Sequence, residues 1–201
     1  MFIFGITGGT GVGKTTAVKV LQTLGVYAID CDDVYHEVLL SNANMKEEII
    51  ANFGDVATDG EVDRKKLGKI VWNDPGLLQK LNTITFKYMD SEIDKRLESL
   101  QLQDVEIVVI DAVALIESGQ DAKCDVVIGI TAPKEKRLSR IKSRDNITED
   151  HALKRINAQQ PKEFYWEHCK YILENIYDTE VEFEDRCKSF FQELIAQRVP
   201  F

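Results

Sequence analysis

A glycine-rich turn at residues 8–15, Gly-Gly-Thr-Gly-Val-Gly-Lys-Thr, constrains this chain more than any other stretch. An apolar run, Phe2 to Ile6, precedes it and has the length of a buried strand. Ala17, Val18, Leu21 and Leu24 follow at helical spacing. Counted from Gly8, the turn spells G-x-x-x-x-G-K-T, the phosphate-binding loop, in the strand-to-helix setting that motif requires. Glycines at 8, 9, 11 and 13 let successive backbone N–H groups converge on a phosphate. The helix opening near Gly13 adds its positive end. Gly9, Thr10, Gly11, Val12, Gly13, Lys14, Thr15 and Thr16 are therefore the candidate nucleotide-binding residues. Lys14 is expected to reach the β- and γ-phosphates, and the Thr15 hydroxyl to hold Mg²⁺. A glycine turn that binds nothing would not need motif, strand and helix to coincide. The chain is expected to bind a nucleoside triphosphate.

The length, 201 residues, suits one α/β domain with insertions. No apolar run is long enough to cross a bilayer, and Phe2 to Ile6 lacks the basic flank of a signal peptide. Cys31, Cys124, Cys169 and Cys187 are far apart and form no C-x-x-C pair, so they read as reduced thiols of a cytoplasmic protein. The net charge of −9 argues against a nucleic-acid partner. Its distribution says more: between Lys134 and Arg155 stand eight basic and four acidic residues, a positive island in an acidic chain. An anionic ligand would need such an island.

Further along, Gly25 looks like a helix-ending glycine before a second strand, which runs into Asp30-Cys31-Asp32-Asp33. Carboxylates thus sit past a strand end, where ligands bind in open α/β sheets. Residues 43 to 100 read as almost wholly helical, with Asp63 and Asp74-Pro75 marking helix starts, a long helix over 75 to 100 that can break near 86, and no strand. Val105 to Ile110 reads as a strand buried on both faces, with Asp111 at its end. Asp125 to Ile130 repeats the pattern, and Thr131-Ala-Pro133 opens a helix that carries Arg137, Arg140 and Arg144 on one face. Thr148 caps the next helix, ended by Pro161; Tyr171 to Leu173 reads as a last strand and Thr179 to Arg198 as a closing helix. Strands alternating with helices imply a parallel, doubly wound sheet.

The loop alone is shared by GTPases, motor ATPases and small-molecule kinases. The Asn-Lys-x-Asp and Asp-x-x-Gly signatures of a GTPase are missing from the sequence, and a nucleic-acid motor would carry a basic surface. A compact kinase for a nucleoside- or nucleotide-type acceptor remains. Nearly the whole chain resembles the dephospho-coenzyme A kinase family. The resemblance is carried by Gly5 to Thr16, Ile29-Asp-Cys-Asp32, Gly60 to Leu67, Val71-Trp72, Leu81-Asn82, Arg140 to Asp145, Arg155 to Gln159, and Asn175. It implies a three-layer α/β P-loop fold with a five-stranded parallel sheet (about 1–33, 104–133 and 168–201), a helical acceptor-binding insertion (about 34–103) and a helical lid (about 134–167).

The activity implied is transfer of the ATP γ-phosphoryl group to the 3′-hydroxyl of dephospho-coenzyme A with Mg²⁺, by a cytoplasmic, monomeric enzyme. Asp32 would serve as base or orienter for that hydroxyl, although an Asp at a helix start also reads as an N-cap. Asp30 could cap or support Mg²⁺, and Asp33 is left unassigned. Arg140 and Arg144 would clamp ATP phosphates, or form a solvated face; Arg137 reads as solvated. Arg64 would meet an acceptor phosphate or make a surface ion pair, and Asp111 would orient Mg²⁺ through water or cap its strand. Departures from the family pattern gather at Phe86-Lys87, Val113-Ala114, Arg137, Tyr165 and Lys170. They leave open a kinase for another nucleotide or nucleoside, or a non-catalytic ATP-binding relative that acts through a protein partner.

Overall fold

The computed structural model describes residues 1–58, 60–71 and 74–197. Asp59, Trp72 and Arg198, each part of a sequence expectation above, lie outside them. Contacts divide the chain into two compact units, Met1–Ile29 with Val105–Phe201, and Asp30–Asp104.

The first unit is built on a five-stranded sheet of order β2-β5-β1-β6-β7. Its strands are β1 (Phe2–Thr7), β2 (Tyr27–Asp30), β5 (Ile107–Asp111), β6 (Val126–Thr131) and β7 (Tyr171–Glu174). β1 pairs in parallel with β5 and β6, and β6 in parallel with β7. Such a sheet is covered on both faces, which is why Val108, Val109 and Ile110 are all fully buried. Helix α1 (Lys14–Thr23) and the closing helix α9 (Glu180–Ala196) pack with β1, β6 and β7 around Phe4, Ile6, Leu21, Phe183 and Phe191. Thr179 caps α9 through a capping box with Glu182. Gly25, at φ +86°, ends α1 as expected.

Between β6 and β7 the chain forms α6 (Lys134–Asp145), α7 (Glu149–Asn157) and α8 (Lys162–His168). Pro161 does not end α7, which stops at Asn157; it begins α8, a helix the sequence reading did not contain. Proline serves both roles because its missing N–H is harmless at a helix start. Ile141, Ala152 and Ile156 form a small separate core that joins α6 to α7.

The second unit contains α2 (Cys31–Ser41), α3 (Ala43–Phe53), α4 (Arg64–Val71) and α5 (Pro75–Leu102), packed around Met45, Ile49 and Ile93. Asp74 accepts from the N–H groups of Gly76 and Leu77, and α5 runs unbroken through residue 86. The expectation of no strand in this block is corrected. β3 (Ala57–Thr58) and β4 (Glu61–Val62) form a small antiparallel hairpin. Two-residue strands are too short to leave an alternating pattern in the sequence.

Candidate active site

The parallel register brings the C-terminal ends of β1, β5 and β6 together, and Ile6 stands opposite Asp111. The phosphate loop therefore leaves β1 directly beside that carboxylate. Thr7 is fully buried and donates its hydroxyl to the Val113 carbonyl at 3.0 Å, tying the loop's root to the segment after β5. Lys14, the first residue of α1, forms an ion pair with Asp111 in which both side chains are largely buried. Asp111 thus acts as the counter-ion of the loop lysine, a role that neither sequence expectation for it included.

The loop between these anchors is held by its carbonyls. Arg137 donates from Nε to the Thr10 carbonyl at 3.0 Å, Arg140 from Nη1 to Gly11 at 3.3 Å, and Asn175 from Nδ2 to Val12 at 2.9 Å. Among the described residues there are no cis peptide bonds. In a trans peptide the N–H points opposite the preceding carbonyl. Each carbonyl held in this way turns the N–H of the next residue, Gly11, Val12 or Gly13, away from the side chain that holds it. Gly13 caps α1 with no side-chain acceptor, so no side chain competes at the cap for the helix's first N–H groups. These backbone donors stand at a helix N-terminus, the arrangement that binds phosphate.

Glycine is required here by space as well as by backbone angle. Gly13 has φ +101°, and a Cβ built on it would lie 2.5 Å from Asn175 Nδ2 and 2.9 Å from Phe183 Cε1. A Cβ on Gly9 would lie 2.6 Å from Arg137 Nη2.

The three arginines of α6 divide by partner. Arg140 bonds Gly11, the Asn175 side-chain oxygen at 3.0 Å and the Tyr177 carbonyl at 3.0 Å. Burial pulls its pKa down from the ordinary value, with Asp178 opposing. Arg144 is more exposed; it pairs with Asp145 and reaches the Thr10 hydroxyl only at 3.4 Å. Its bond to Asp145, against a smaller cost of burial, holds its pKa up. Asp145 also accepts from Arg155 at 2.6 Å. Arg137, expected on a solvated face, is instead half-buried against the loop, and burial lowers its pKa.

The remaining candidates fall into place with fewer contacts. Thr15 is exposed at the start of α1. The Thr16 hydroxyl points away from the loop and donates to Glu180 at 3.0 Å, so only its backbone N–H can serve a phosphate. In the second unit, Asp30 rather than Asp32 caps α2, accepting from the N–H groups of Asp32 and Asp33 at 2.8 and 3.4 Å. Asp32 is exposed in the first turn, and its carboxylate has no partner among the described residues. Arg64 opens α4, exposed, and its charge acts on the half-buried Tyr35 phenol, whose pKa burial raises. Sequence reasoning gave Asn175 and Gln159 no role, because an amide after a strand or helix carries no signal of the backbone it will meet.

Comparison with known proteins agrees with this geometry. A family model described as Dephospho-CoA kinase matches residues 2–180. The chain is similar to a dephospho-CoA kinase of Moorella thermoacetica, 40% identical over 162 residues covering 79% of this chain and 76% of that one. It is also similar to one of Dehalococcoides mccartyi, 34% identical over 99% of this chain and 98% of that one. Among solved structures, a dephospho-CoA kinase from Campylobacter jejuni matches with a TM-score of 0.71 and 26% identity over 98% of both chains. With a loop built for phosphate and a match spanning both units, this chain belongs to the dephospho-CoA kinase family.

Proposed function

We propose that this protein transfers the γ-phosphoryl group of ATP to the 3′-hydroxyl of dephospho-coenzyme A, giving ADP and coenzyme A. The observation that carries the reading is the glycine-rich loop at the start of α1, its carbonyls held by Arg137, Arg140 and Asn175, in a chain of this family. Gly9 to Thr16 hold the triphosphate. Lys14 leaves Asp111 to meet the β- and γ-phosphates, which replace one buried anion with another. Arg140 and Arg144 neutralise charge on the transferring group, for which a planar guanidinium is well shaped. Phosphoryl transfer through a loose transition state needs mainly alignment and charge stabilisation. A carboxylate, although a weak base toward an alcohol, is therefore an adequate proton acceptor.

In this reading Asp32, left free by Asp30's capping role, orients the 3′-hydroxyl and takes its proton as the new O–P bond forms and the bond to the β-phosphate oxygen breaks. Arg64 binds an anionic group of the acceptor. Mg²⁺ fits the residues present: no cluster of three acidic, histidine or cysteine ligands occurs among the described residues, and this ion needs none. Such an ion is held mostly by phosphates and waters with one or two protein oxygens; here the Thr15 hydroxyl would hold it and the Asp111 carboxylate would help to orient it. When bound it would neutralise charge on the β- and γ-phosphates. No helix among the described residues is long and apolar enough to cross a membrane; a cytoplasmic, monomeric enzyme belongs to the same reading.

The test is ADP release from ATP and Mg²⁺ in the presence of dephospho-coenzyme A, with product mass measured and adenosine and AMP as competing acceptors. Lys14→Ala and Asp32→Asn should both abolish product. Transfer to AMP or adenosine in preference would reassign the acceptor, and ATP binding without transfer would reject the kinase reading.

A further inference from the structure

Arg137 makes no phosphate contact in the mechanism above, yet its contacts are as specific as those of any residue at the loop. Its Nε donates to the Thr10 carbonyl at 3.0 Å and its Nη2 to Gln159 Oε1 at 2.7 Å. The same Gln159 oxygen accepts from the Thr10 N–H at 2.8 Å. Arg137 and Gln159 therefore grip both backbone polar groups of Thr10, one from α6 and one from just beyond the end of α7. Among the described residues no carboxylate pairs with Arg137; neutral oxygens alone hold it. A half-buried guanidinium without a counter-ion is costly, and its cost is met here only by orienting the loop.

The need for a grip follows from the sequence. Thr10 lies between two glycines, and Gly11 has φ +77°. A peptide flanked by glycine can rotate with little steric cost. Rotation of the peptide joining Thr10 to Gly11 would turn the Gly11 N–H out of the cradle. The Nε bond to the Thr10 carbonyl blocks that rotation, and the Gln159 bond fixes the guanidinium that makes it. Gly9 leaves the space in which the guanidinium lies, since a Cβ there would meet Arg137 Nη2 at 2.6 Å and Gln159 Oε1 at 2.7 Å.

We infer that Arg137, oriented by Gln159, is a positioning residue for nucleotide binding: it locks the Thr10–Gly11 peptide so that the Gly11 N–H faces the triphosphate. The inference rests on the ATP-binding part of the proposed function. Its test reads ATP binding directly, so it stands apart from the identity of the acceptor.

ATP affinity in Mg²⁺ should be measured by calorimetry for the parent, Arg137→Ala, Arg137→Lys, Gln159→Leu and the Arg137→Ala/Gln159→Leu pair, with thermal midpoints taken without nucleotide. A hydrogen bond to a charged group contributes enough that each single change should weaken ATP about tenfold. The pair should weaken it no further, since both act through one peptide. Arg137→Lys should recover little, because an ammonium group lacks the fork that spans Thr10 and Gln159. Nucleotide-free midpoints should stay within about 2 °C of the parent. In turnover assays the KM for ATP should rise while that for dephospho-coenzyme A holds. ATP affinity of Arg137→Ala within twofold of the parent would overturn the inference. So would losses that multiply in the pair, full rescue by lysine, or a matching fall in the nucleotide-free midpoint.

Discussion

Gly13→Ala separates the two demands that the phosphate loop makes on its last glycine. Gly13 and Gly25 both have positive φ, +101° and +86°. A Cβ at Gly25 would meet nothing within 4 Å, whereas at Gly13 it would press on Asn175 Nδ2 at 2.5 Å and Phe183 Cε1 at 2.9 Å. Gly25→Ala therefore pays backbone strain alone, about 1–2 kcal/mol. Gly13→Ala pays that strain and must also move a nearly buried amide off the Val12 carbonyl, or shift a buried phenyl ring. An unsatisfied buried polar group costs about 1–3 kcal/mol, and overpacking costs a similar amount. The expected loss is about 2–5 kcal/mol at Gly13 against about 1–2 kcal/mol at Gly25. Urea unfolding measures both, read as a fall in midpoint at constant slope. Asn175 also holds Arg140, so Gly13→Ala should lose nucleotide binding as well, and Gly25→Ala should keep it. Equal destabilisation by the two changes would refute the argument that crowding by Asn175 and Phe183 fixes this position.

Arg140→Ala removes bonds to Gly11, Asn175 and Tyr177; turnover should fall by about two orders of magnitude, as for a lost transition-state donor, with Arg140→Lys recovering only a small part. The Asp145 carboxyl is held below its usual pKa, chiefly by its bond to Arg144 and further by the Arg155 charge. A depressed folded-state pKa means that stability from these pairs is present above the unfolded value near 4 and fades as pH falls through the lower folded value. Thermal midpoints of the parent and Asp145→Asn should therefore differ at pH 7 and converge in acid; a constant difference would show that the charge is not responsible. Burial pushes the Cys169 thiol up to about 11 and Cys187 to about 12. Both should resist a disulfide reagent at pH 8 in the native protein and react at once in denaturant; rapid native reaction at Cys187 would contradict its burial on the inner face of α9.

Legibility in the sequence followed distance along the chain. The strand, loop and first helix occupy consecutive residues, and each declares itself by local pattern: apolar run, glycine spacing, helical periodicity. β5 and β6 were legible for the same reason, since a strand buried on both faces is a largely β-branched run. The β3–β4 hairpin and α8 are too short to set a period, and Pro161 fits either end of a helix. Asp111 could be placed at a strand end, but its partner is Lys14, brought near by the pairing of Ile6 with Asp111 in adjacent strands.

Arg137 shows the limit most plainly. On α6 it is one arginine of three, and charge on a helix usually belongs to a solvated face. Its role exists because Gly9 leaves room, Thr10 presents a carbonyl, and Gln159 arrives from the far end of α7. By itself the sequence determined that a phosphate loop stands between β1 and α1, because the peptide geometry needed to bind phosphate is encoded in neighbouring residues. Tertiary structure alone decided which way that loop's peptides face. Backbone carbonyls carry no sequence signal, and the side chains that pin them come from α6 and the end of β7.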